Sequence, residues 1–156
     1  MMQDVFQLIA RAQAEYVRCI DDGDLAGWPD FFVDECIYKV TTAENHKRGL
    51  EASLIYAASR GMLMDRVASL RDANIYERHA YRHLLGQPYI VSEDLDVVRS
   101  ETSFMVVRIM RDGTKSLFVT GRYLDAYVRN GNSVRLRERV AVCDSSRIDT
   151  LLALPL

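Results

Sequence analysis

Residues 104–144, FMVVRIMRDGTKSLFVTGRYLDAYVRNGNSVRLRERVAVCD, decide the fold, because this stretch is rich in β-branched and aromatic residues. Two turn signals divide it: Asp112-Gly113, which suits a two-residue hairpin loop, and the slightly longer Asn130-Gly131-Asn132. The stretch therefore predicts three long antiparallel strands that form a meander.

The register of the last two strands can be predicted from charge, since opposite charges on facing strands are favourable and like charges are not. A two-residue second loop would place two arginines opposite each other. A three-residue loop, with Gly131 or Asn132 in the left-handed conformation, instead pairs Asp125 with Arg137, and we predict this register. It gives the third strand a charged face, formed by Arg135, Arg137 and Arg139, and a mostly apolar face, formed by Val134, Leu136, Val140 and Val142.

Length and composition point to a single globular domain over residues 1–156. Hydrophobic residues make up 49% and charged residues 27%, and the net charge of -2 gives no electrostatic footprint for nucleic acid. The three cysteines, Cys19, Cys36 and Cys143, are an odd number at unrelated spacings, which predicts free thiols in a reducing compartment. With no export signal and no apolar run long enough to cross a membrane, we expect a cytoplasmic protein.

Helical periodicity dominates the N-terminal half of the chain, and β-rich alternation follows. The apolar residues at 151–156 predict a tail that docks on the protein. The predicted helices cover residues 3–22, a short segment capped by Asp24, about 50–60, and 62–71, with a polar loop at 42–48 and a connector at 74–77. The predicted strands before the meander cover 36–41, 81–91 with an interruption near Gly86 and Pro88, and a loose edge at 93–100.

Helices followed by a curved antiparallel sheet of five or six strands define an α+β fold. With the N-terminal helices laid on the concave face, the expected architecture is the cone-shaped, NTF2-like (cystatin-like) fold of nuclear transport factor 2, ketosteroid isomerase and scytalone dehydratase.

The histidines do not form a metal-binding pattern. His79 and His83 are four residues apart, but the surrounding residues favour extended chain, in which this spacing separates the two rings by ~13 Å. A third ligand is needed, and His46 lies in a predicted loop.

Proton transfer of the kind used by dehydratases and isomerases has five candidate residues. The alternative, which the residues favour, is structural: Asp125 balances Arg137, the histidine is satisfied in the core, and the tyrosines pack. The arginines of the third strand are either a solvated face or a contact for an acidic partner. The five candidates are His83, Tyr38, Tyr123, Asp34 and Asp125.

The order of features over nearly the whole chain resembles the small (β) subunit of the aromatic ring-hydroxylating dioxygenases. The shared features are a D-R-V turn, an arginine-histidine pair at Arg82-His83, a G-x-Y-x-D strand at 121–125, and an arginine-rich strand that ends in Asp144. The segments YERHAYRH and VCDSSRIDTLLALPL are most similar to members that act on terephthalate, while benzoate, anthranilate and halobenzoates stay open as substrates.

The resemblance implies an oxygenase with a Rieske [2Fe-2S] cluster and a mononuclear Fe(II). The cluster requires CxH and CxxH ligand pairs, but Cys36 and His46 are ten residues apart and neither pair exists in this sequence. The resemblance therefore places both cofactors in a partner α subunit. This chain is expected to be a non-catalytic structural subunit with no catalytic, cofactor-binding or metal residues, in an NADH-dependent α3β3 complex whose stem is formed by the β subunits.

Two other functions stay open: a free-standing dehydratase, isomerase or cyclase of the same fold, and a non-enzymatic NTF2-like binding module. An enzyme requires an open pocket inside the cone. If Trp28, Phe31, Phe32 and the helices fill the interior, the enzyme alternative fails.

Overall fold

A computed structural model describes residues 2–73, 79–145 and 154–156. Its helices are α1 (Val5–Asp21), a 3₁₀ helix (Leu25–Phe31), α2 (Ala43–Lys47) and α3 (Arg60–Ala73). Its strands are β1 (Phe32–Thr42), β2 (Ile55–Ala57), β3 (His79–Leu85), β4 (Tyr89–Glu93), β5 (Val97–Met110), β6 (Lys115–Asn130) and β7 (Ser133–Cys143).

The strands form one sheet in the order β2-β1-β7-β6-β5-β3, with β4 paired to β5 next to β3 along the same edge. Neighbouring strands are antiparallel except β1 and β7, which are parallel. The α+β fold with N-terminal helices on a curved sheet is confirmed. Within the described residues the sheet has seven strands, because a short β2 adds to the edge and the predicted strand 81–91 divides into β3 and β4.

Helix α1 forms as predicted from its apolar periodicity. Asp4 caps its start, with Oδ1 accepting a hydrogen bond of 2.7 Å from the backbone N–H of Phe6. The chain leaves the helix at Gly23, whose φ of +79° is the left-handed conformation that commonly ends a helix. Asp24 caps the following segment as predicted, although this segment is a 3₁₀ helix.

The predicted helix at about 50–60 is wrong. Residues 55–57 instead form β2, which pairs with β1, and the preceding Leu54 is 51% exposed. Ile55 and Ala57 are buried while Tyr56 is exposed, so the segment has strand alternation over three residues, too short to distinguish from a helical pattern. Helix α3 begins at Arg60 and runs through Gly61.

The predicted polar loop at 42–48 contains a short helix, α2, because the Thr42 side chain accepts a hydrogen bond from the backbone N–H of Asn45 and caps it. Strand β5 begins at Val97, so the predicted loose edge at 93–100 is mostly regular strand. The predicted connector at 74–77 lies outside the described residues.

The first turn of the meander has three residues, and the predicted two-residue hairpin loop is wrong. The backbone N–H of Met110 donates to the carbonyl oxygen of Thr114 at 2.8 Å, which closes the loop around residues 111–113. Gly113 has a φ of +89°, and a left-handed residue at the end of a three-residue loop matches the twist of the two strands.

The second turn corrects the predicted register. Asn130 pairs with Ser133, so the loop is the two residues Gly131 and Asn132, and a bulge then displaces the pairing so that Asp125 faces Arg139. The predicted pairing of Asp125 with Arg137 is wrong, because Arg137 is the extra residue of the bulge. A bulge changes which face later side chains point to, so Arg139 turns inward and the predicted single arginine face does not form.

One close contact makes glycine necessary in β6. A Cβ on Gly121 would clash with the carbonyl oxygen of Val142 on β7, so a side chain at this position would push the two strands apart.

Aromatic rings fill the space between the sheet and the N-terminal helices. Trp28, Phe32 and Tyr38 are all 0% exposed and meet edge to face, with ring centroids 5.1 to 6.0 Å apart. Phe31, also predicted in the interior, is partly buried and lies 5.5 Å from the ring of Tyr16. In the part of the chain that the structure describes, no helix combines the length and apolar character needed to cross a membrane.

Candidate functional site

A buried ion pair lies on the inner face of the sheet, between β6 and β7. Arg139 Nε donates to Asp125 Oδ1 and Arg139 Nη2 donates to Asp125 Oδ2, both at 2.8 Å. Both side chains are 0% exposed. This two-point contact is the strongest geometry available to arginine and a carboxylate, and it exists because the bulge at Arg137 turns Arg139 toward the core.

Two aromatic rings enclose the guanidinium. Its central carbon lies 4.2 Å from the ring centroid of Tyr16 and 3.8 Å from that of Tyr123, within cation–π range. Burial works against the charged form of Arg139, but the Asp125 carboxylate together with Tyr127 and Tyr16 outweighs that cost, so the pKa of the guanidinium is raised well above its usual value. The guanidinium therefore keeps its positive charge in the folded protein.

Hydrogen bonds tie this ion pair to helix α1. The Gln13 side-chain nitrogen lies 2.9 Å from Thr102 Oγ1 and 3.4 Å from Asp125 Oδ2. Arg139 Nη2 also donates to the hydroxyl of Tyr127 at 3.2 Å. These hydrogen bonds thus connect the ion pair to helix α1, strand β5 and the Tyr127 side chain of β6.

The last described residues of the chain close the interior from another side. The hydroxyls of Tyr16 and Tyr38 donate to the carbonyl oxygen of Leu156 at 2.8 and 3.1 Å, and Trp28 Nε1 donates to the Tyr16 hydroxyl at 2.9 Å. Leu154 is 7% exposed and Leu156 is 0% exposed, so the predicted docking of the tail is confirmed for residues 154–156.

His83, a predicted proton-transfer residue, pairs with Asp21 at the end of α1. His83 Nδ1 lies 2.6 Å from Asp21 Oδ1, and the backbone N–H of His83 donates to Asp21 Oδ2 at 2.9 Å. The side chains are 0% and 4% exposed. This contact joins the helix to β3, whereas His83 Nε2 is buried without a hydrogen-bond partner among the described residues.

The other predicted acids and bases do not converge with His83. Asp34 is on the surface, with a side chain 91% exposed and an ion pair of 3.2 Å to Arg60. Tyr123 and Asp125 meet at the buried ion pair, whereas Tyr38 binds Leu156. The four candidates other than His83 therefore lie in three separate contacts. An acid-base mechanism requires them to lie together in one site.

The buried tyrosines are poor proton-transfer groups. Burial raises the pKa of Tyr38 and of Tyr123 well above the usual value, even though Arg139 lowers that of Tyr123. The same cause raises the pKa of Tyr16, Tyr81 and Tyr127. Their hydroxyls stay protonated near neutral pH, and those of Tyr16, Tyr38 and Tyr127 donate hydrogen bonds.

These shifts predict an alkaline limit to stability. A folded-state pKa above the unfolded value of about 10 means that stability is complete below that pH and is lost as the pH rises further. In a spectrophotometric titration, we expect the five buried tyrosines to form phenolate only together with the loss of the folded circular dichroism signal. Phenolate formation by all tyrosines in a protein that is still folded would contradict this burial.

Among the described residues, no group of three or more histidine, cysteine, aspartate or glutamate side chains is arranged to hold a metal ion. His79 and His83 both lie in β3, as predicted, and His46 lies in α2. All three cysteines are free thiols, and burial raises the pKa of Cys143 to about 12 and that of Cys19 to about 11.

Sequence reasoning missed three residues of this core: Gln13, Tyr16 as a partner of the guanidinium, and Asp21. Gln13 is 2% exposed on the apolar face of an amphipathic helix, and a polar residue in such a position indicates a buried hydrogen-bond partner. No comparable signal marks Asp21, because a helix end rich in aspartate is usually solvated.

The folded architecture places this chain among the cone-shaped α+β proteins, with a closed polar core in place of an open cavity at the ion pair. The chain belongs to the family of ring-hydroxylating β subunits, whose family model matches residues 15–150.

Two proteins of similar sequence are dioxygenase subunits. The chain is 48% identical to the terminal oxygenase component subunit beta 1 of terephthalate 1,2-dioxygenase from Comamonas sp., over 95% of this chain and 96% of that protein. It is 35% identical to the small subunit of anthranilate 1,2-dioxygenase from Burkholderia cepacia, over 92% of this chain and 89% of that protein.

Two crystal structures have a fold similar to that of this chain. One is the β subunit of a proposed aromatic-ring-hydroxylating dioxygenase from Novosphingobium aromaticivorans, with 40% identity, a TM-score of 0.88, and coverage of 96% of this chain and 95% of that chain. The β subunit of benzoate 1,2-dioxygenase from Burkholderia mallei shares the fold, with 18% identity, a TM-score of 0.77, and coverage of 92% and 93%.

Proposed function

We propose that this chain is the structural, non-catalytic β subunit of a terminal oxygenase that hydroxylates an aromatic acid. The observation that carries this proposal is the closed interior. An ion pair, two enclosing tyrosine rings and Leu156 occupy the centre of the fold, where an enzyme of this architecture would need room for a substrate. On this proposal no residue of the chain is catalytic and none holds a cofactor or metal.

The chemistry belongs to a partner α subunit in this proposal. That subunit would carry the Rieske [2Fe-2S] cluster and the mononuclear Fe(II), which need cysteine, histidine and carboxylate ligands in sets absent from the described residues of this chain. We infer an α3β3 complex in which the whole chain, as one domain, supports the α subunits. The free thiols support a reducing, cytoplasmic location.

Terephthalate is the proposed substrate of the complex. The support is the 48% identity to a β subunit of terephthalate 1,2-dioxygenase, against 35% for the anthranilate relative. Since the reacting site would lie in the α subunit, substrate choice is tested on the complex and not on this chain.

The Asp21–His83 contact is the one observation that favours a free-standing acid-base enzyme, since a carboxylate that orients an imidazole is a familiar catalytic arrangement. Both side chains are buried, however, and the carboxylate also accepts a hydrogen bond from the backbone N–H of His83. These are the features of a structural contact that holds β3 against helix α1. We therefore favour the structural subunit.

Co-expression with the α subunit, followed by mass measurement of the purified complex and an assay with terephthalate, tests the proposal. We expect an assembly that contains equal numbers of the two chains and hydroxylates terephthalate. The chain purified alone is expected to be colourless and inert. Bound iron together with turnover in the isolated chain, or failure to associate with any α subunit, would overturn the proposal.

Arg137 provides a more specific prediction. It is exposed on the outer side of β7, so Arg137→Glu should weaken assembly with α while the isolated chain stays folded. The matched control is Arg11→Glu, which changes an exposed arginine on α1. If the Arg137 variant co-purifies with α at the wild-type ratio in both low and high salt, Arg137 is not part of the contact.

A further inference from the structure

The turn between β6 and β7 carries the dipeptide Asn130-Gly131, which the role of a structural subunit does not use. Strand β6 ends at Asn130, which pairs with Ser133, so the loop itself is Gly131 and Asn132. Asn130 and Gly131 are both exposed, and Gly131 has a φ of +62°. A side-chain carbon placed on Gly131 would meet no atom within 4 Å, so the space beside this part of the backbone is open.

The Asn130 side chain has room to move. It lines an open cleft of about 330 Å³ together with Val33, Val128, Ser133 and Arg135. Its amide makes no hydrogen bond with the described residues, so no contact fixes its orientation.

The other described asparagines differ from Asn130 in both respects. Asn132 Oδ1 accepts a hydrogen bond of 2.9 Å from the backbone N–H of Gln3, and Asn45 lies within α2. Asn130 is also the only asparagine in the sequence that is followed by glycine. Because glycine has no side chain, its backbone nitrogen can approach the side chain of the preceding residue without steric hindrance.

We propose that Asn130 is a site of spontaneous modification, at which asparagine converts to aspartate and isoaspartate. The Gly131 backbone nitrogen loses its proton to hydroxide and attacks Asn130 Cγ. The bond from Cγ to the side-chain nitrogen breaks, and that nitrogen takes a proton from water and leaves as ammonia. Water then opens the five-membered imide ring. Cleavage between the Gly131 nitrogen and Cγ gives aspartate, and cleavage between this nitrogen and the main-chain carbonyl carbon gives isoaspartate.

The other turn of the meander carries a similar dipeptide, Asp112-Gly113, in a protected state. Asp112 Oδ1 accepts a hydrogen bond of 2.8 Å from the backbone N–H of Thr114. Hydrogen bonds from Thr114 hold the pKa of the Asp112 carboxyl below its usual value, so this side chain is ionised at neutral pH. Since an ionised carboxylate is a poor target for an amide nitrogen, we expect Asp112 to react more slowly than Asn130.

The modification would change the contacts of the turn. Arg129 Nε donates to the carbonyl oxygen of Gly131 at 2.9 Å, and Arg129 Nη2 donates to that of Gln3 at 2.7 Å. Arg129 therefore ties the turn to the residues before α1. Both products add a negative charge to the cleft that Arg135 lines, and isoaspartate also lengthens the backbone of the turn by one atom.

Peptide mapping by mass spectrometry tests the proposal on the purified chain. The chain is incubated in mildly alkaline buffer made with oxygen-18 water, and circular dichroism checks that it stays folded. We expect the peptide with Asn130 to gain about 3 Da, of which about 1 Da is the change from amide to acid and about 2 Da is one heavy oxygen. Conversion at Asn130 should be at least about 10-fold faster than at any other asparagine, because only this one precedes glycine.

Two variants are the controls. Asn130→Gln would need a six-membered ring to react, so its peptide should keep its mass, whereas Asn132→Gln should leave the gain at Asn130 unchanged. An unchanged mass at Asn130 in the folded chain, a gain that appears only after denaturation in urea, or faster reaction at Asp112 would overturn the proposal. Because the measurement uses the chain alone, its result is independent of binding to α and of the proposed function.

Discussion

Asp125→Ala is expected to reduce the free energy of unfolding by about 3–5 kcal/mol, among the largest effects of any single substitution in this chain. The change leaves the Arg139 guanidinium buried between two tyrosine rings without its counter-charge. Neighbouring hydroxyls can share the charge only in part, because a neutral partner replaces little of the carboxylate's interaction. Urea denaturation, followed by circular dichroism and by tyrosine fluorescence, measures the loss.

Two controls separate charge from packing. The double variant Asp125→Ala, Arg139→Met removes both charges and is expected to recover part of the lost stability, because no unpaired charge stays buried. Arg122→Met breaks an exposed ion pair with Glu101 and should cost no more than about 1 kcal/mol. If Asp125→Ala reduces the free energy of unfolding by less than Arg122→Met does, the buried pair is not needed for stability.

Leu156→Ala is the second large prediction, with an expected loss of about 2–5 kcal/mol. Leu156 is 0% exposed and packs into the aromatic interior, so truncation leaves a cavity. Its backbone also accepts hydrogen bonds from Tyr16 and Tyr38, which the substitution keeps in place. Chemical denaturation of the purified chain measures the change.

Leu95→Ala is the matched control, since Leu95 is fully exposed and its loss should leave the unfolding midpoint unchanged. Tyr38→Phe, which removes one hydroxyl from Leu156, is expected to cost about 1 kcal/mol and measures the hydrogen bonds separately. Equal stabilities of the Leu156 and Leu95 variants would show that the docked tail contributes no stability.

Both predictions concern the buried interior of the molecule, where the ion pair and Leu156 lie. The ion pair binds the Tyr127 hydroxyl, the Tyr16 and Tyr38 hydroxyls bind the backbone of Leu156, and the outer surface of the sheet stays open for contacts. A subunit whose role is to support partners benefits from this arrangement, because a rigid interior keeps the contact surfaces in fixed positions.

Local signals were sufficient for the regular elements. The apolar stripe predicts α1, and the β-branched runs predict β5, β6 and β7, because such patterns span many residues. The prediction failed at residues 55–57, where a three-residue strand forms only because β1 offers an edge to pair with. Short elements depend on their neighbours, and a sequence window cannot show those neighbours.

Some members of the candidate site were predictable, but its contacts were not. His83, Tyr38, Tyr123 and Asp125 were all identified, yet Asp125 was assigned to Arg137 instead of Arg139. The difference is one bulge, which adds a residue to β7 and turns the next arginine inward. Charge pairing favoured a plausible register, but it could not predict the position of the β-bulge.

The amino-acid order by itself determined α1, α3 and the long strands, the absence of a Rieske ligand pattern, and the family, because each depends on residues close together in the chain. The tertiary structure decided that Arg139 is buried, that Asp21 holds His83, and that Leu156 meets two tyrosine hydroxyls. Those contacts join residues 14 to 140 positions apart. They form only when helix α1 and the end of the chain lie on the curved sheet, whose twist and bulges set the distances between them.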